Sequence, residues 1–319
     1  MAVLKYQSDK FAKESQHYTL TFFTPTYNRK GTITRTYESL LNVKVPYYNG
    51  SKVTFEWIIV DDGSNDGTDE ICKKWCEDDK LPIRYYWQEN QGKHIAMNFA
   101  IQQAACGKFW LTIDSDDTIL PEALEIYFKE WNSIGDNNSF CAVAARCKES
   151  NGNIVGDLLP RSPLDISAID LRLKYRIKGE MLEMYHVDIL RQYPFPAYDN
   201  RMRFCPESIV WFEIAKKYKM RVVDTAARIY YHDATTSIMS AKNINRSAAN
   251  YYLWLYHINN LSRYIIYNPI FILKAYVGIS MDGFTSGRNA AMILKDCNNA
   301  LKKALVALFM PVGFLLSRR

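Results

Sequence analysis

Polar positions gather at one end of each of four apolar runs in the first third of the chain. Residues 18–23, 55–60, 83–87 and 109–113 are rich in aromatic and β-branched side chains and do not alternate with polar ones. Such runs read as strands covered on both faces. After each of the first three comes a polar loop and then helix-like periodicity, at 35–41, through Cys76, and at 93–105. Asp66 or Thr68 can cap the second of these helices. Strand, loop, helix, strand repeated in this way predicts an α/β fold, a Rossmann-like, mostly parallel sheet with helices on both faces. Right-handed crossovers bring all four strand ends to one edge. That edge collects residues 24–27, Asp61 and Asp62, Gly92 and Lys93, and residues 114–117.

The remaining pattern is less regular. Residues 1–17 are polar and read as a short irregular arm, and 140–145 as a short strand followed by a polar loop to about 165. A helix is expected over 164–175. A second, amphipathic one is expected over 209–218, opened by Pro206 and closed by lysines. Residues 220–224 and 227–231 predict two short strands, and 235–245 a polar lid. The stretch 246–319 is helical and aromatic. Its last part, 301–319, sets about a dozen apolar residues between basic flanks and is interrupted by Pro311. That is too short to span a bilayer and suits the interface of an anionic membrane. Packing on the rest of the chain or on a second subunit, as a homo-oligomer, is the competing reading.

Composition narrows the classes. A chain of 319 residues with 48% hydrophobic and 23% charged residues is ordinary for one large or two smaller globular domains. A net charge of +6 suits an anionic partner such as a nucleotide or acidic lipid. No dense Lys/Arg tract supports nucleic-acid binding. Seven cysteines without framework spacing predict reduced thiols in a cytoplasmic compartment. Cys72 and Cys76 lie one turn apart, but no second pair completes a zinc set. The first residues lack a signal-peptide pattern, and no uninterrupted apolar run of about 20 residues predicts a spanning helix.

The chemistry concentrates at Asp114-Ser115-Asp116-Asp117, which follows the fourth strand at the end where open α/β sheets bind ligands. Clustered carboxylates repel one another unless a cation offsets them, and oxygen-rich sites suit Mg²⁺ or Mn²⁺. The alternative is that Asp116 or Asp117 caps a helix starting near Pro121. Asp61-Asp62-Gly63 alone would read as a turn and helix cap. No Gly-x-Gly-x-x-Gly follows the first strand, which disfavours a dinucleotide site.

Four stretches occur together over residues 20–130: Thr24-Pro25-Thr26-Tyr27-Asn28-Arg29, Val60 to Thr68, Asn90-Gln91-Gly92-Lys93 with Asn98, and Asp114-Ser115-Asp116-Asp117. In this order they resemble the nucleotide-sugar-binding half of family 2 glycosyltransferases, which have the GT-A fold. The resemblance implies roles. Thr24, Pro25 and Tyr27, with Thr26 in the same stretch, would line the base pocket. Asp62 would accept from a uracil ring nitrogen, and Lys93 would approach the diphosphate. Asp114 and Ser115 would face ribose and sugar, and Asp116 would bind the metal. The family places its general base just ahead of a helix in the second half. Glu207 stands there, followed by Ser208 where many members carry Asp. The bland alternative is that Glu207 only complements the helix dipole. A His after the last core strand often completes the metal site in the family, which points to His232 and tilts Mn²⁺ over Mg²⁺.

Four divisions follow: an N-terminal arm (1–17), a nucleotide-sugar-binding subdomain (18–138), an acceptor-binding and catalytic subdomain (139–245) and a C-terminal helical region (246–319). The resemblance implies an inverting, metal-dependent transferase. It would move a sugar from a UDP-sugar to a hydroxyl of a glycan or lipid-linked acceptor in cell-surface polysaccharide synthesis. A sugar-1-phosphate nucleotidyltransferase would need a Gly-rich phosphate loop where Thr24-Pro25-Thr26-Tyr27 stands. A non-catalytic nucleotide-sugar-binding or scaffold protein would have no use for Asp116, Glu207 and His232.

Overall fold

The computed structural model describes residues 1–14, 17–198, 202–231 and 244–318. Its strands are β1 (Val3–Gln7), β2 (Tyr18–Thr26), β3 (Tyr47–Tyr48), β4 (Ser51–Lys52), β5 (Phe55–Asp61) and β6 (Ile83–Trp87). They continue with β7 (Gly107–Thr112), β8 (Thr118–Ile119), β9 (Phe140–Glu149), β10 (Leu164–Ile166), β11 (Met181–His186) and β12 (Lys219–Tyr230). The helices of the first half are α1 (Asp9–Glu14), α2 (Ile33–Leu41), α3 (Thr68–Asp78), α4 (Lys93–Phe99) and α5 (Ala123–Ile134). The second half adds α6 (Val187–Gln192), α7 (Ser208–Ala215), α8 (Ile244–Tyr256), α9 (Pro269–Thr285), α10 (Ala290–Asp296) and α11 (Ala300–Ser317).

One large sheet runs in the order β1-β6-β5-β2-β7-β11-β9-β12-β10, with β8 pairing β12. The four runs read from the sequence are its parallel block, β6-β5-β2-β7. Both faces of that block are covered: Phe22, Trp57 and Phe109 pack on one side, Phe23, Ile58 and Trp110 on the other. This is why the runs do not alternate. The chain leaves β2 towards β5 and β6 on one side and later places β7 on the other. A topological switch point therefore lies beyond the carboxyl ends of β2 and β7.

Several elements differ from expectation. The arm is not irregular throughout: β1 pairs antiparallel with β6, Val3 opposite Trp87 and Gln7 opposite Arg84. It is an exposed edge strand, so no apolar period marked it. The expected helix over 164–175 begins instead as edge strand β10, followed by a short π-helical turn, Asp170–Lys174. The two short strands at 220–231 are one strand, β12, whose register against β9 shifts around Ala226. Helix α7 is apolar nearly all round because two cores claim it. Val210 and Ile214 face the sheet, while Ile209, Phe212 and Ala215 face Tyr256, Leu261 and Tyr264 of the C-terminal helices.

Pro311 does not interrupt α11 but lies inside it, and the carbonyl left without an amide partner belongs to Ala307 on the exposed side. Among the described residues α11 is long and apolar enough, by length and composition, to cross a membrane. All seven cysteines are free, and six are buried.

Candidate active site

The loops at the switch point are stitched to one another by polar contacts. After β2, Asn28 takes a positive φ of 52°, and its amide donates to Ser64 Oγ at 2.8 Å. Asn65 N donates back to Asn28 Oδ1 at 2.9 Å, and Lys30 N to Asp66 Oδ2 at 2.9 Å. After β7 the acidic loop is held from below by α2, whose Thr36 hydroxyl donates to the Asp117 carbonyl at 2.8 Å. Asp61 is buried under the second loop. It accepts from Tyr85 Oη at 2.5 Å and Ser64 N at 2.7 Å, a structural anchor.

Asp62 joins the loops after β5 and β6. Its Oδ1 accepts from Gln88 Nε2 at 2.7 Å and Gln91 N at 2.8 Å, and its Oδ2 from Gly92 N at 2.7 Å. Burial pushes the carboxyl up, against the pull of these three donors and of Arg203. An ionised carboxylate has about four acceptor positions, so one is left. The turn carrying Gln91 and Gly92 is crowded. Gly92 has φ +97°, and a Cβ there would meet the Arg203 carbonyl oxygen at 2.3 Å. Only a glycine lets the 203–207 segment cross so close.

That crossing delivers Glu207 to Lys93. Lys93 Nζ lies 2.8 Å from Asp114 Oδ1 and 2.9 Å from Glu207 Oε1. Burial works against its charge, but the two carboxylates outweigh it and hold the ammonium above its ordinary pKa. Burial likewise raises Asp114, yet Lys93 and Arg228 overcome it and hold that carboxyl below its ordinary value. Arg228, buried on β12, stands 3.2 Å from Asp117 Oδ2 and 3.8 Å from Asp114 Oδ2. Burial pushes Asp117 up to about 7 even with Arg228 beside it.

The repulsion anticipated among the three carboxylates is thus largely met by the chain's own cations. Asp116 is the exception. Arg29 Nε stands 3.9 Å from its Oδ2, and burial and Asp114 both push it up. Its side chain is 22% exposed. A half-open carboxylate short of positive charge fits a divalent ion that takes its other ligands from phosphate. No three His, Cys, Asp or Glu among the described residues converge to cage a metal. His232 and the expected lid at 235–245 lie outside the described residues, apart from the start of α8.

The residues singled out from sequence are placed as follows. Asp62, Lys93, Asp114, Ser115, Asp116 and Glu207 come together at the switch point with Thr26, whose carbonyl accepts from Asp62 N at 2.8 Å. Tyr27 is 47% exposed at the rim, and Pro25 lies in β2 opposite Val60. Thr24 departs from its expected place at the pocket. It is fully buried and its Oγ1 accepts from Trp57 Nε1 at 2.9 Å, so its side chain serves the sheet core. Arg228 was missed. An Arg inside the apolar run Ala226-Ala227-Arg228-Ile229 was the available signal, because a buried guanidinium must find acids.

Residues 21–193 match the family model described as glycosyl transferase family 2. The chain is 36% identical over 168 residues to poly(ribitol-phosphate) beta-N-acetylglucosaminyltransferase TarS of Staphylococcus aureus, covering 52% of this chain and 27% of TarS. It is 27% identical over 232 residues to an uncharacterized glycosyltransferase of Rickettsia felis, covering 68% of this chain and 34% of that protein. The chain spans about a third of the length of several curated relatives it matches. The crystal structure of S. aureus TarS 1-349 in complex with UDP-GlcNAc superposes with TM-score 0.59 at 16% identity, covering 94% of this chain and 90% of that one, a likeness of fold. With its GT-A fold and a family match across more than half its residues, the chain belongs to the family 2 glycosyltransferases.

Proposed function

We propose that the chain moves a sugar from a UDP-sugar to a hydroxyl of a glycan or lipid-linked acceptor, with inversion, on the cytoplasmic side during cell-surface polysaccharide synthesis. The observation that carries this is Lys93 held between Asp114 and Glu207, 2.8 and 2.9 Å away, at the switch point. Lys93 is a point charge suited to a diphosphate, and Asp62 keeps one acceptor position for a ring N–H. Asp114 and Ser115 stand on the sugar side. Glu207 takes the proton of the acceptor hydroxyl as that oxygen attacks the anomeric carbon. A bound Mn²⁺ or Mg²⁺, with Mn²⁺ preferred, would be held by Asp116 and supply Lewis acidity towards the departing diphosphate. The four divisions read from the sequence assign donor binding to 18–138 and the base to 139–245.

Similarity to TarS makes UDP-GlcNAc the first donor to try. Thermal stabilisation and hydrolysis across UDP-GlcNAc, UDP-glucose, UDP-galactose and GDP-mannose, with and without Mn²⁺, test the reading. A UDP-sugar that stabilises the protein and is slowly hydrolysed supports it. Stabilisation by GDP-mannose alone would remove the role given to Asp62.

A further inference from the structure

The chain's net charge is not spread over it. Residues 263–319 hold eight Lys and Arg against two acids, while residues 1–262 hold 32 against 32. The whole excess of +6 therefore sits in the last helices. Both acids there are engaged: buried Asp282 accepts from Trp254 Nε1 at 2.8 Å, and Asp296 from Tyr251 Oη at 2.6 Å. Lys274, Lys295, Lys303 and Arg318 are exposed.

The same region exposes an apolar stripe. Helix α11 packs one side on α9: Val306 and Gly313 are buried, and a Cβ on Gly313 would lie 2.7 Å from the Val277 carbonyl oxygen. At about 100° per residue, Leu301, Leu308, Val312 and Leu315 fall on the opposite side. Leu301, Leu308 and Leu315 are 70%, 67% and 68% exposed. Lys303 is exposed on the flank between the buried side and this stripe, and residues 297–319 contain no acid.

We propose that this face of α11 docks the protein flat on a bilayer rich in anionic lipid. The stripe enters the acyl boundary and the surrounding lysines and arginines meet the headgroups. Charge chooses this occupant over a second copy of the chain. A two-fold interface apposes the same patch on both subunits, which would set one basic surface against another. Packing against α9 chooses a surface-lying helix over a spanning one, because only one side of α11 is free. The surface is separate from the sugar site and does not depend on the donor reading.

Sedimentation of the full chain with phosphatidylglycerol or phosphatidylcholine vesicles tests it. Binding is expected to phosphatidylglycerol only, and to fall as salt rises. Leu308→Asp with Leu315→Asp should lower partitioning about tenfold or more per leucine, with the thermal melt unchanged. Lys295→Glu with Lys303→Glu should weaken it without touching the stripe. Four results would overturn the proposal: no binding to anionic vesicles, equal salt-insensitive binding to phosphatidylcholine, a leucine variant that still binds, or a leucine variant that only converts a dimer to monomer.

Discussion

Lys93 is shared by two carboxylates, Asp114 and Glu207, to which we assign different partners, the sugar and the acceptor. Without donor it neutralises both; a diphosphate would compete for the same ammonium and leave Glu207 freer to take a proton. Lys93→Met should therefore lower turnover by about 10²–10³-fold, in line with the removal of one preorganised charge, and weaken UDP binding as well. Glu207→Gln should abolish transfer while UDP affinity, measured by calorimetry, stays near that of the parent. Turnover retained by the glutamine variant would move the base elsewhere. Asp116→Asn should erase the gain in UDP affinity brought by Mn²⁺, and an unchanged gain would contradict its assignment. Glu183 offers a readout of the same region that involves no ligand. Burial on β11 pushes its carboxyl up to about 7 despite Arg172. Between about 4.5 and 7 the folded chain keeps a proton that the unfolded chain has lost, so this residue's contribution to stability falls as pH rises. The melting temperature of Glu183→Gln minus that of the parent should be near its smallest at pH 4.5 and grow up to about pH 7. A flat difference would mean the carboxyl is not strained by burial.

At the scale of elements, the crossing of the 203–207 segment over the β6–α4 turn positions Glu207 beside Lys93. Gly92 combines φ +97° with the Arg203 carbonyl oxygen 2.3 Å from where a Cβ would stand. Gly92→Ala must displace one segment or the other, with strain of about 1–3 kcal/mol. Transfer should fall more than UDP affinity, because Glu207 rides on the displaced segment; comparison of turnover with UDP calorimetry checks this. Such crossings are invisible in sequence, where Asn90-Gln91-Gly92-Lys93 reads as a turn before a helix. The parallel block was legible because burial on both faces writes continuous apolar runs and leaves polarity only at their ends. Strand β1 was not, since an edge strand pairs through its backbone and its side chains face water. The sequence pattern splits strand β12 at Thr225-Ala226, where the structure shifts register instead of ending the strand. The carboxylates of the site and Lys93 were legible by type, but the second cation, Arg228, was not. Arg228 reaches them across the fold from the β8–β12 pairing.

For the whole molecule, the C-terminal helices support the site as well as flanking it. Helix α7 begins directly after Glu207 and is gripped on both sides. Val210 and Ile214 pack on the sheet, and Ile209 and Phe212 pack on Tyr256, Leu261 and Tyr264. Polar ties reinforce the second grip: Tyr264 Oη donates to Asp170 Oδ1 at 3.0 Å, and Lys216 Nζ to Asn260 Oδ1 at 3.0 Å. A cavity opened behind α7 should then be felt at its first turn, while the carboxyl ends of β2, β5, β6 and β7, built from residues before 120, stay as they were. Leu261 is fully buried in that contact. Leu261→Ala should cost about 2–5 kcal/mol of stability in a urea titration. Below the transition it should reduce turnover and leave UDP affinity unchanged. If the helices were mere ballast, the same variant would lose stability with turnover intact, and equal loss of UDP affinity would show that the sheet edge depends on them too.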